Sequence, residues 1–241
     1  VSHAAGEPAA AGTALHLYRP PPAVPGLKLD WHSALGSTGV LLDWETAEPM
    51  VDGGVPPAVR ALLAAGLAAA GTVAACTTRV ADDVGRDWTR VPQGYDCRLP
   101  GGLLARRRSV AVRATRDLAE VARFFDETLF DWAQESQLLL LAPPGPLPDE
   151  LPDVLPTLDR ALVDGCLAQP MTTTPDQLRA AGLIGIVRPG VDGGMAGLYV
   201  PDAAARAAVL GALATAARVA GAAWLERDGA EHWAVGAARR R

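Results

Sequence analysis

The apolar and polar positions along the chain fall into three segments of similar outline, each a strand, a helix and a strand with short joins. In the first, Gly39-Val-Leu-Leu-Asp-Trp44 leads into a helix over 57–70 and a strand over 72–78. The second places a strand over 107–115, a helix over 117–133 and a strand over 136–142. The third has a strand over 197–200, a helix over 202–220 and a strand over 222–227. A further strand is expected over 13–19. The second helix has the clearest periodicity. Leu118, Val121, Ala122, Phe125, Leu129 and Trp132 recur every three or four residues, which gathers them on one face. Asp117 with Glu120 reads as a capping pair at its start, and Pro201 with Asp202 marks the start of the third helix.

Turn chemistry adds detail. Asp228-Gly229 lies between Trp224-Leu-Glu-Arg227 and the alternating run 230–235, so a closing hairpin is expected there. Residues 148–168 read as helical, and Pro152 and Pro156 confine the regular part to 156 onward. Thr174-Pro175-Asp176 opens a short helix that Gly182 closes. The run 19–26, rich in proline, reads as a stiff connector. Val51-Asp-Gly-Gly54 and Val191-Asp-Gly-Gly194 echo one another, each ahead of a Val-Pro pair and an Ala-rich helix. That echo suggests two pseudo-symmetric halves, 13–115 and 116–238, and its rival is coincidence in a chain rich in Ala, Gly, Val and Pro. Residues 1–12 read as a disordered tail, 13–238 as one globular α+β domain and 239–241 as a basic tail. The favoured architecture is a largely antiparallel or mixed sheet with helices packed on one face. A doubly wound parallel sheet is the alternative, disfavoured by the closing hairpin and the Arg-rich strand.

Composition narrows the classes. Of 241 residues, 49% are hydrophobic and only 5% aromatic, so Ala, Leu and Val must fill the core. Lys28 is the sole lysine, so it alone could supply a Schiff-base or phosphate-loop amine. The bias toward arginine, alanine, glycine and proline fits a GC-rich bacterial genome. A net charge of −5 disfavours general nucleic-acid binding and suits a basic protein partner. Cys76, Cys97 and Cys166 form no CxxC pair, which points to a reducing, cytoplasmic setting without a disulfide framework. No signal peptide is read at the N-terminus. The apolar stretches 58–76 and 203–225 contain Arg60, Arg206 and Arg218, so buried helices are expected rather than membrane spans.

Candidate chemistry is sparse. There is no GxxxxGK[ST] loop, no GxGxxG after a strand and no HExxH, and no cofactor is implied. Ser37 precedes its strand, the wrong order for a nucleophile elbow. His3, His16, His32 and His232 read as ordinary buried or solvated histidines. Asp43, which ends a strand, with Asp52 and Asp192 in the two Val-Asp-Gly-Gly turns, are the catalytic candidates, as acid, base or Mg²⁺ ligands. Against them stands ordinary Asp-Gly turn chemistry. Arg106, Arg107, Arg108 and Arg113 are candidates for binding an anion, and a polar sheet edge is the blander reading. Trp31 and Trp88 sit in polar contexts and are the candidate contacts for a protein partner. The leading expectation is a non-catalytic protein-binding module, of adaptor, immunity or inhibitor, or accessory-subunit type. A small-molecule enzyme using the loop carboxylates is the rival.

Overall fold

Among the described residues, nine strands form one sheet in the order β4-β5-β3-β6-β7-β8-β2-β1-β9. They are β1 (Ala14–Arg19), β2 (Val40–Glu45), β3 (Thr72–Thr77), β4 (Thr89–Pro92), β5 (Ser109–Thr115), β6 (Gln137–Ala142), β7 (Gly185–Pro189), β8 (Met195–Tyr199) and β9 (Ala223–Asp228). The helices are α1 (Pro57–Ala70), α2 (Leu118–Arg123), α3 (Pro175–Ala180) and α4 (Ala203–Ala220). This computed structural model describes residues 13–19, 40–45, 55–77, 89–92, 109–125, 137–148, 174–189 and 195–228. Both Val-Asp-Gly-Gly runs, residues 229–235 of the expected closing hairpin and residues 149–168 of the expected helical region 148–168 lie outside the described residues.

The protein is an α+β domain with a mixed, largely antiparallel sheet. Every ladder between these strands is antiparallel except β1–β9, which is parallel. Successive antiparallel steps leave β2 parallel to β3, so α1 is a crossover between parallel strands. By the same reasoning α4 joins β8 to a parallel β9. The strands β2 and β8 are antiparallel neighbours, so the two crossover helices return in opposite directions over one face of the sheet.

Alternation decides what each strand offers that helical layer. Leu15 and Leu17 of β1, Val40, Leu42 and Trp44 of β2, and Ala196 and Leu198 of β8 pack with Val59, Leu63 and Leu67 of α1 and Val209, Leu213 and Ala217 of α4. The helices touch at Gly66, where an added Cβ would sit 2.9 Å from the Leu213 Cα. Only a residue without a side chain lets the backbones approach so closely. On the opposite face of the central strands, Leu140, Ile186 and Tyr199 are buried as well. This accounts for the nearly continuous apolar runs of β6 and β7, which lack clean alternation.

Local signals hold the helix ends. Asp117 accepts from the amides of Ala119 and Glu120, and Asp202 accepts from that of Ala205. Thr174 and Gln177 form a full capping box on α3. Gly221 closes α4 in the left-handed region, at φ 72°.

Several details differ from the pattern reading. The helix α2 stops at Arg123, with Phe124 as its C-cap, and residues 126–133 of the expected helix, with Leu129 and Trp132, lie outside the described residues. Val121 and Phe125 are buried as expected, but Leu118 is 52% exposed. The strand β5 is described over Ser109–Thr115, and residues 107 and 108 of the expected strand lie outside the described residues. The strands β4 and β7 carry no clear pattern of their own, being only four and five residues long and containing prolines. Of the two apolar stretches read as buried helices, α1 fits, whereas α4 buries only Val209, Leu213 and Ala217.

Candidate functional site

Among the described residues, the group of polar side chains that joins opposed charges to a buried titratable ring lies where β2, β1 and β9 run side by side. In β1 the apolar Leu15 and Leu17 take the helix-facing positions, so His16 and Tyr18 point to the other face. Register then selects their neighbours. His16 is paired with Asp43 of β2 on one side and Leu225 of β9 on the other, and Tyr18 is paired with Arg227.

The His16 side chain is only 5% exposed. Arg227 Nε donates to its Nδ1 over a long 3.5 Å. Its Nε2 lies 3.5 Å from Glu45 Oε2, whose side chain is 76% exposed. The His16 and Tyr18 rings, two residues apart on one strand, stack at 12° with centroids 6.2 Å apart. A nitrogen that accepts from a guanidinium carries no proton. The neutral imidazole therefore bears its hydrogen on Nε2, which is buried, makes no hydrogen bond among the described residues and has the Glu45 carboxylate as its nearby anion. Asp43 Oδ1 accepts from the Trp44 amide at 2.8 Å. The Trp44 side chain turns to the core, where its indole N–H meets no hydrogen-bond acceptor among the described residues.

Asp43 lies within β2, two residues before its end, and directly across from His16. Asp52, Asp192, Trp31 and Trp88 lie outside the described residues, as do Arg106, Arg107 and Arg108. Arg113 points toward the helices and forms an ion pair with Glu120 of α2, which also binds Arg123 at 2.9 Å. One carboxylate between two guanidiniums ties α2 to β5, and this partner is built into the fold. Arg179 is similarly structural: it donates to the Pro201 carbonyl at 2.8 Å and pairs with Asp176, linking α3 to the start of α4. Among the described residues no three His, Cys, Asp or Glu side chains converge as metal ligands would.

Sequence reasoning passed over the His16 group because each member looks ordinary alone. The signal available was the alternation Leu15-His16-Leu17-Tyr18, which marks two outward polar rings. Their partners on β9 are more than 200 residues away in the chain, and only the parallel β1–β9 ladder brings them near.

A second surface stands out on α4. Ala204, Ala207, Ala208, Gly211, Thr215 and Val219 are exposed, and Val219 is 83% so. By length and composition this helix could cross a membrane, yet it is attached to the sheet along one narrow stripe. Comparisons with protein-family models, with curated proteins and with solved structures returned no match to this chain.

Proposed function

We propose that the protein is a non-catalytic protein-binding module, of adaptor, immunity or inhibitor, or accessory-subunit type, acting in the cytoplasm. The observation that supports this reading is the outward face of α4. Ala204, Ala207, Ala208 and Gly211, small and apolar, share one side of the helix with Thr215 and Arg218, and all six are in water. Exposed apolar area of this kind is the usual mark of an interaction surface. The partner that fits is a protein with a low-relief apolar face edged by carboxylates that meet Arg218. Trp31 and Trp88 are the proposed additional contacts.

The test is affinity capture from host cells, followed by reconstitution with the purified partner. The expected result is a stable stoichiometric complex that the double variant Ala207→Arg, Thr215→Arg dissolves while circular dichroism stays unchanged. Retention of the complex by that variant discards α4 as the interface, and its retention by Trp31→Ala with Trp88→Ala discards those contacts. No stoichiometric complex at all defeats the binding-module reading.

A second reading is a small-molecule enzyme using Asp43, and the observation in its favour is that Asp43 sits opposite the His16 imidazole. A carboxylate beside an imidazole is a common acid–base pair. For a Mg²⁺-dependent version, Asp52 or Asp192 would have to join Asp43. Calorimetric titration with Mg²⁺ tests that version: saturable heat that Asp43→Asn abolishes supports it, and none at millimolar Mg²⁺ rejects it.

A further inference from the structure

We infer that His16 is a proton-operated latch for β9, the last strand of the sheet among the described residues. Neutral His16 carries its hydrogen on Nε2, so the incoming proton goes to Nδ1, whose lone pair accepts from Arg227. Proton uptake and the Arg227 hydrogen bond therefore exclude one another. Once protonated, the ring has two N–H donors and a positive charge. It repels the guanidinium on β9 and forms an ion pair with Glu45 on β2.

The charged and titratable groups facing the ring from the described neighbouring strands are Asp43 and Glu45 of β2, Tyr18 of β1 and Arg227 of β9. Both carboxylates lie on the β2 side, and the one cation among these groups lies on the β9 side. Acidification thus transfers the His16 contact from one neighbour to the other, tightening β1 on β2 and releasing the end of β9. The ring is buried and Arg227 is exposed, so the guanidinium can swing into water when displaced.

Two measurements on the full chain test this. Nitrogen-15 NMR of the histidine rings at pH 8 is expected to show His16 as the Nε2–H tautomer; the Nδ1–H tautomer overturns the latch. Amide exchange at Glu226 and Arg227, corrected for its intrinsic pH dependence, is expected to accelerate about fivefold between pH 8 and pH 5, the size of one lost hydrogen bond. His16→Gln, whose amide oxygen can still accept from Arg227, should remove that acceleration. An equal response in the variant, or none in the native chain, also overturns the latch. If the variant does not fold, the tautomer and the native exchange profile still decide the question.

Discussion

The helices α1 and α4 are close in composition and opposite in setting. Both are alanine-rich crossovers between parallel strands, and they pack against each other. Yet α1 buries Val59, Leu62, Leu63, Ala64, Gly66 and Leu67, on several sides, whereas α4 buries only Val209, Leu213 and Ala217, a single stripe at four-residue spacing. The difference follows from position in the layer. Among the described elements, α1 packs against both α2 and α4, while α4 contacts α1 and β9, the last strand in the sheet order. Large side chains mark the buried directions in both helices. Alanine serves equally well in either environment and so leaves depth unspecified.

The sharpest way to break this contrast is to truncate one large residue in each helix. Leu63 is 1% exposed, and Leu63→Ala should cost about 2–5 kcal/mol through lost burial and the cavity left behind. Val219→Ala on α4 should stay within about 0.5 kcal/mol, because the side chain is in water. Urea denaturation of both variants measures the pair. Comparable losses would mean that α4 is covered along its outer side and that the contrast is false.

The next largest effect lies at the contact between the two helices. Alanine at position 66 would gain up to about 1 kcal/mol in helix propensity over glycine. Its methyl group, however, would stand 2.6 Å from the Leu213 Cδ2 and 2.9 Å from the Leu213 Cα, and a backbone atom cannot rotate away. Gly66→Ala should therefore destabilise by about 1–3 kcal/mol net, as expected for overpacking. A thermal melt that rises in this variant would show that the helices can separate cheaply.

These cases also show what the sequence makes legible. The strands β1, β2 and β3, the helix α1 and the start of α4 were readable because alternation, a proline at the first turn and an N-cap aspartate act within a few residues. The class of sheet was legible from the strand-helix-strand units, in which α1 and α4 run almost directly into the strands that follow them. The length of α2 was not, because apolar spacing continues past Arg123 while the hydrogen-bonded helix ends there. Strand order and the β1–β9 pairing depend on contacts far apart in the chain, so the meeting of His16 with Arg227 carried no local signal. The Val-Asp-Gly-Gly echo shows a related limit. One copy falls between β2 and α1, but the other falls between β7 and β8, so the repeated words occupy different places in the topology. The corresponding positions ahead of the two helices are Val55-Pro56 and Val200-Pro201.

The smallest expected effect separates the helices most cleanly, because it makes the same substitution with the opposite outcome. Gly211 lies in α4, and a Cβ built there meets nothing within 4 Å. Gly211→Ala thus keeps the full benefit of removing a glycine from a helix interior, fewer unfolded conformations and better propensity, with no packing cost. It should stabilise the protein by about 0.4–1 kcal/mol. Measured beside Gly66→Ala, the change in denaturation midpoint should reverse sign between the two helices. If both glycines respond in the same direction, exposure of α4 is not what distinguishes it from α1, and the interface proposed on its outer face loses its physical basis.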